Sequence, residues 1–397
     1  PTLPRRNSGD RTGDRTATHR ITGGHRMRFI ATADLQIGMK LQWLGDNQAV
    51  FDMARLNTLA TIAELVRTED AAAVVIAGDL FDRDPVDAGD LAQTLEGIGE
   101  IGVPVLVLPG NHDSYHPTSV YRSKAFEQDR PANLTLLLDD PVTIGDVEFV
   151  GAPLRTRTPD HPVLHPVLEV LDADGARRVV VGHGGVQQVI GAHEGGVAFD
   201  RDVMEAALAD GRAAFIVLGD RHSTLTVGET GRIWYPGAPE PTNFRDDVGR
   251  VLVVDLPADG GEPQVEPHAT GTWRFIEETV ELSSPDDVDA LLARIGGIPK
   301  KPTVNLKVRA TGVLPLEALQ DLEQGLAKAE RKFASLQRRL DGLSPLLTPD
   351  ELAALPVPPY VREVLGDVTA AHLADPADAE VRAELSLLLQ LLAKAAA

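Results

Sequence analysis

One recurring unit constrains this chain more than any other feature: a short β-rich run that leads at once into a polar cluster. The runs Met27–Ala33, Ala72–Ala77, Val103–Leu108, Arg178–Val181 and Ala213–Leu218 lead into Asp34, Gly78-Asp79, Gly110-Asn111-His112-Asp113, His183, and Asp220 with His222. Further β-rich runs stand at Val147–Val150, Gly231–Tyr235 and Arg250–Asp255. Helical patterns separate them; in Phe51–Val66, for instance, Phe51, Ala54, Leu59, Ile62, Leu65 and Val66 lie near one face. Strands alternating with helices predict a layered α/β core. In such folds chemistry gathers at the carboxyl ends of strands, where these polar clusters stand.

A chain of 397 residues has room for two or three domains. Residues 1–26 carry six arginines among Ser, Thr and Gly, with almost no apolar residue, and read as a disordered extension. The first domain spans 27–262, closed by the Pro- and Gly-rich stretch Pro257–Gly271. A second unit over 270–342 reads as β-α-β-α-β, with strands over Trp273–Leu282, Thr303–Arg309 and Phe333–Leu340. Its first helix has Ser284 as cap, Pro285 in the first position and Gly296-Gly297 as its expected end. Residues 343–397 read as helical. In Val381–Leu392, Leu385, Leu388, Leu389 and Leu392 form one stripe, and Leu387 and Leu391 widen it. Docking within the chain and docking on a partner both fit that stripe.

The chain contains no cysteine, so any metal must be held by His, Asp, Glu, Asn or Gln, and a reducing cytoplasm is the expected location. A formal charge of −21 argues against coating nucleic acid or anionic membrane by bulk charge. No apolar run approaches the roughly 18–20 residues that span a bilayer. Hydrolysis of a phosphoester is helped by two divalent cations, which neutralise charge on the leaving oxygen and on the attacking hydroxide. Asp34, Asp79, Asn111, His183, Asp220 and His222 are a ligand set of that kind, without sulfur, and suit manganese, magnesium or iron.

The series Gly78-Asp79-Leu80-Phe81-Asp82, Gly110-Asn111-His112-Asp113, Gly182-His183 and Gly219-Asp220-Arg221-His222 resembles that of calcineurin-like metallophosphoesterases in order and spacing. Ala33-Asp34-Leu35, the Leu-Pro before Gly110, Tyr235-Pro236-Gly237-Ala238-Pro239-Glu240 and a small domain opening at Trp273 are similar to SbcD-type DNA repair exonucleases. The resemblance implies a four-layer αββα sandwich with a small α+β capping domain and C-terminal helices. It implies two Mn2+ per chain, Asp79 bridging them, with Asp34 and His222 on the first and Asn111, His183 and Asp220 on the second. His112 would face the scissile phosphate and protonate the leaving oxygen, with Asp113 orienting its ring. The implied partners are DNA, an SbcC-type coiled-coil ATPase docked on the C-terminal helices, and a second copy in a homodimer, with no membrane.

Two ligand positions depart from the family pattern. Gln36 stands where the first motif has a histidine, replacing an imidazole by a weaker amide oxygen, and Asp220 replaces the first histidine of the last motif. Three carboxylates against two divalent ions would leave one net positive charge rather than two, so anionic substrates are drawn less strongly. His116 and His193 could line the cleft or stand in for the missing imidazole; His161, His165, His268 and His372 have no motif around them. Lys300, Lys301, Lys307, Arg309, Lys328, Arg331, Lys332, Arg338 and Arg339 cluster in the second unit, as a DNA-guiding cap or as a solvated face. The function expected is a metal-dependent DNA exonuclease or endonuclease. The alternatives are a nuclease-like scaffold disabled at Gln36 and a small-molecule phosphodiesterase.

Overall fold

The computed structural model describes residues 26–190, 198–246, 248–346, 349–355, 357–375 and 378–396. His19, His25 and His193, and the extension 1–25, lie outside the described residues.

Twelve strands build two sheets: β1 (Met27–Thr32), β2 (Ala73–Ile76), β3 (Val105–Val107), β4 (Leu134–Leu136), β5 (Val142–Ile144), β6 (Val147–Gly151), β7 (Arg177–His183), β8 (Phe215–Gly219), β9 (Leu225–Val227), β10 (Ile233–Tyr235), β11 (Arg250–Leu256) and β12 (Gln264–Ala269). One sheet runs β12-β11-β1-β2-β3-β4 and the other β5-β6-β7-β8-β10-β9. Strands β1 to β4 are mutually parallel, as are β6, β7, β8 and β10. Their apolar runs are continuous because both faces are buried. Phe29 and Ala31 of β1 point into the space between the sheets, against Phe149, Val179, Phe215 and Val217, while Ile30 points the other way, onto the helical layer. Phe29 meets Phe149 edge-on at 5.5 Å and Phe215 at 6.2 Å. Helices Gln48–Glu69 and Ala88–Glu100 cover the outer face of the first sheet through Leu59, Ile62, Leu95 and Ile98. Leu164–Val170 and Arg201–Ala209 cover the second through Leu164, Leu168 and Met204. The result is the expected four-layer αββα sandwich.

The next unit is a parallel sheet β13 (Arg274–Leu282), β14 (Val304–Leu314) and β15 (Ser335–Pro345), with helices Pro285–Gly297 and Leu316–Glu330. Ser284 and Asp287 close a reciprocal capping box. The helix continues through Gly296 and Gly297, where the sequence suggested an end, and stops at Ile298, whose extended backbone is the conformation favoured before Pro299. Strand β15 likewise runs on to Pro345. This cap sits on the sandwich through Trp273, edge-on to Phe51 at 5.1 Å, and through Asn47, whose side chain donates to the Ala334 carbonyl.

Helices Pro349–Ala354, Pro359–Ala374 and Ala379–Ala396 follow. Leu385 and Leu389 are buried with Leu352, Leu365 and Val313 of β14, and Leu388 and Leu392 pack against them. The predicted stripe is thus spent within the chain, whereas Leu387 and Leu391 remain exposed. No helix among the described residues is long and apolar enough to cross a membrane.

Candidate metal centre

Because β1, β2 and β3 are parallel neighbours in one sheet and β7 and β8 in the other, their carboxyl ends open onto one edge of the sandwich. Asp34, Asp79, Asn111, His183 and Asp220 follow or end those five strands and converge there. Asp34, Asp79 and His183 are buried and offer ligand atoms within 4.8 Å of one another. The chain reaches this arrangement through an unusual backbone. Of the described non-glycine residues with positive φ, four belong to the predicted ligand set: Asp34 (54°), Gln36 (45°), Asp79 (52°) and Asp220 (90°). Strain of this kind persists where the surroundings over-determine it. Here the Asp34 N–H donates to Gly78 O, Gln36 N–H to Asp79 O, and Asp220 N–H to the Asp34 carboxylate at 3.2 Å. Two motif glycines are dictated by close approach: a Cβ at Gly78 would fall 2.1 Å from His183 Nδ1, and one at Gly110 would fall 2.2 Å from Asp79 Oδ1.

His183 Nδ1 donates to the Ala77 carbonyl at 2.8 Å, which leaves Nε2 as its titrating nitrogen. That atom faces Asn111 Oδ1 at 2.9 Å, Asp79 at 3.4 Å and Asp220 at 3.9 Å. Such a convergence of electron-rich atoms is satisfied by a proton, by a cation, or by turning the Asn111 amide so that it donates to His183 and Asp79. On the other side, His222 Nδ1 donates at 2.6 Å to Thr242 Oγ1, whose own proton goes to Asp246 at 2.6 Å. Its Nε2 faces the Gln36 amide nitrogen at 3.2 Å and Asp34 at 4.0 Å. The Gln36 side-chain oxygen, Oε1, is buried without a hydrogen-bond partner. Imidazole, carboxylate and amide oxygens fit two divalent ions: Asp34, Gln36, Asp79 and His222 would hold one, and Asp79, Asn111, His183 and Asp220 the other. Divalent ions there would supply Lewis-acid neutralisation of phosphoryl charge.

Without a cation, burial and neighbouring charge favour protons at this centre. Burial pushes Asp34 up to about 7. Burial also disfavours charge on His183, but the Asp79 carboxylate beside it outweighs this and holds the ring well above its ordinary range; Asp79 is lowered in turn. Cation binding must displace these protons, so at pH 6.5 Mn2+ binding is expected to release about one to two of them and to tighten as pH rises. Calorimetry in two buffers of different ionisation enthalpy measures the release, and binding without release at that pH would contradict the assignment.

His112 is not in the ligand set. Its backbone N–H donates to Asp79 Oδ1 at 2.9 Å, and its ring Nδ1 donates to the Asp82 carbonyl at 2.5 Å. The expectation for Asp113 is corrected here: the Asp82 carbonyl, rather than Asp113, orients the His112 ring. Asp113 is buried and accepts from Phe81 N, Gly110 N and Tyr121 Oη, which fastens the motif loop to its neighbours. His116 pairs with Asp84 at 3.3 Å and does not stand in for an imidazole at Gln36.

Several residues of the site carry no motif signal. Arg157, His161 and Phe199 join Asn111, His183 and Asp220 around a cleft of about 300 Å³. Arg55, fully buried on helix Gln48–Glu69, donates to the carbonyls of Leu35 and Gln36 and, at longer range, of Glu240 and Pro241. The loop after β6, at the carboxyl end of a parallel strand, was the available pointer to Arg157 and His161.

The calcineurin-like phosphoesterase family matches residues 27–224. No curated protein matches the chain. Similar solved structures include calcineurin-like phosphoesterase YfkN from Bacillus subtilis, 14% identical over 62% of this chain and 91% of that one, with a TM-score of 0.40. Others are a putative 5'-nucleotidase from Staphylococcus aureus (15%, 62% and 54%, 0.43) and a dimetal phosphatase from Danio rerio (12%, 60% and 98%, 0.38). Residues 27–224, which contain every motif residue from Asp34 to His222, are a calcineurin-like phosphoesterase domain.

Proposed function

We propose that this protein is a manganese-dependent DNA nuclease subunit of the SbcD type, which hydrolyses phosphodiester bonds in the cytoplasm together with an SbcC-type coiled-coil ATPase. The observation that carries this reading is a set of exposed basic side chains on a cap that is seated beside the metal centre. Phe275 of β13 packs edge-on to Phe244 at 5.3 Å, and Lys307 of β14 lies 3.9 Å from that ring, in the same turn whose Thr242 holds His222. Lys307 and Arg309 are partly neutralised by Glu277, and Arg338 by Glu330. Lys300, Lys328, Arg331, Lys332 and Arg339 have no carboxylate partner among the described residues, which leaves them for phosphates. The exposed Leu387, Leu391, Tyr360 and Val364 on the terminal helices suit an apolar coiled-coil partner. Trp43 in the turn that precedes the first long helix, and Val50 and Met53 at the start of that helix, are exposed and suit a second copy.

The cleft beside His183 favours a second reading, a small-molecule phosphodiesterase, since about 300 Å³ accommodates a nucleotide-sized substrate. Labelled DNA and bis(p-nitrophenyl) phosphate, each offered to the Mn2+-loaded chain, separate the two. The nuclease reading expects both to be cleaved. Substituting Lys328, Arg331 and Lys332 by alanine should then lower DNA cleavage about tenfold or more at moderate salt and leave the small ester unaffected. Hydrolysis of the ester alone supports the second reading. No hydrolysis by a chain that binds one ion or none would make it the scaffold disabled at Gln36.

A further inference from the structure

Residues 240–246 touch the cap with one side and the first-metal ligands with the other. On the cap side, the Glu240 carboxylate accepts from Thr272 N at 2.7 Å, Thr272 Oγ1 at 2.6 Å and Trp273 N at 3.1 Å, at the point where the cap begins. Phe244 packs on Phe275 and under Lys307. On the metal side, Thr242 and Asp246 fix the His222 ring, and the carbonyls of Glu240 and Pro241 share the Arg55 guanidinium with those of Leu35 and Gln36. The segment is internally braced: Asn243 Nδ2 donates to Asp246 Oδ1 at 2.8 Å, Asp246 accepts from Thr242 N at 2.7 Å, and Arg245 N donates to Asn243 Oδ1 at 2.7 Å. A braced turn moves as a unit, so a shift of Phe244 is carried to Thr242 and Asp246.

The other half of the centre is held differently. His183 is oriented by the Ala77 carbonyl at the end of β2, and Asn111 and Asp79 by the motif loops. No cap residue bonds to or stacks on these groups among the described residues. The substitution at Gln36 sharpens the asymmetry. With an amide in place of an imidazole, His222 is the single imidazole facing Asp34 on that side, and its orientation decides how well an ion is held there.

We propose that residues 240–246 transmit the position of the cap to the first-metal ligands, with Phe244 as the positioning residue, so that displacing the cap weakens cation binding at Asp34, Gln36 and His222 and spares Asn111, His183 and Asp220. The proposal does not depend on DNA being the substrate. A substrate or partner that moves the cap thereby sets how well the first-metal side is loaded.

The test is calorimetric titration of the full metal-free chain with Mn2+ alone. The native chain is expected to show two sites. Phe244→Ala and Phe275→Ala should each weaken one site about tenfold and leave the other unchanged. The double variant should be no weaker than either single one, because both remove one connection. Adding Gln36→His to Phe244→Ala should restore most of the loss. Phe244 is half-buried, so its truncation leaves the core intact; Lys307→Met, which removes the cation above the ring together with its pairing to Glu277, gives a smaller loss of the same kind. In the metal-free chain, imidazole 15N resonances should show His222 leaving its Nδ1-protonated form in Phe244→Ala while His183 keeps its own, a change that general loosening would not confine to one ring. Equal weakening of both sites, native affinities in both phenylalanine variants, or a native chain with one site would each overturn the proposal.

Discussion

The variant His112→Asn is expected to lose about 10²–10⁴-fold in phosphoester turnover while binding the same number of Mn2+ ions as the native chain. The two readouts separate because His112 reaches Asp79 through its backbone N–H, which the substitution keeps, whereas the ring held by the Asp82 carbonyl is what the substitution removes. With Nδ1 tied to the Asp82 carbonyl, Nε2 is the atom left to hold or deliver a proton to a leaving oxygen. An asparagine amide neither holds nor delivers such a proton. Turnover with bis(p-nitrophenyl) phosphate and a Mn2+ titration on one preparation decide the point; a matched loss of ions would make His112 a ligand support instead.

The second large effect concerns stability. Asp34 is fully buried, and its folded-state pKa of about 7 stands above the ordinary carboxylate value. A raised pKa means that stability is fully present below the unfolded value near 4 and is lost as pH rises through the folded value. The metal-free chain should therefore weaken between about pH 4 and 7, by an amount on the order of 2–4 kcal/mol from this one group. Asp34→Asn removes the penalty. Its metal-free form should melt several degrees above the native chain at pH 7.5 and close to it at pH 4.5, and saturating Mn2+ should reverse the order at pH 7.5. A pH-independent difference between the two metal-free chains would sink this account.

How far the sequence could be read follows from where each residue's environment is set. Strands β1, β2, β3, β7 and β8 are legible because both faces are buried, which writes them as unbroken apolar runs such as Phe29-Ile30-Ala31. The three-residue edge strands β4, β5 and β9 leave no such run and are not legible. The motif positions at Asp79 and Asn111 are legible because glycine is forced beside them by contacts of about 2 Å. The role of Asp113 is not legible, since adjacency in sequence to His112 says nothing of a side chain turned back toward Phe81 and Tyr121. Pairings such as Lys307 and Arg309 with Glu277 were equally hidden, because strands thirty residues apart must first lie side by side. The same holds for Thr242 and Asp246, whose importance exists only once the cap has folded onto Phe244.

Ligands drawn from both sheets also set an order of events during synthesis. When β1 to β3 have left the ribosome, the growing chain carries Asp34, Asp79 and Asn111, but neither imidazole of the centre. Those arrive with β7 and the loop after β8, so a complete cage for either ion exists only when the second sheet has closed over the first. An ion captured at that moment binds the finished sandwich and not its precursors, and so acts as a late fastener whose hold grows with the free ion concentration. In a cell short of the cation, the same chain would complete its fold with two like-charged carboxylates, Asp34 and Asp79, facing each other across an interior they can share only by keeping a proton.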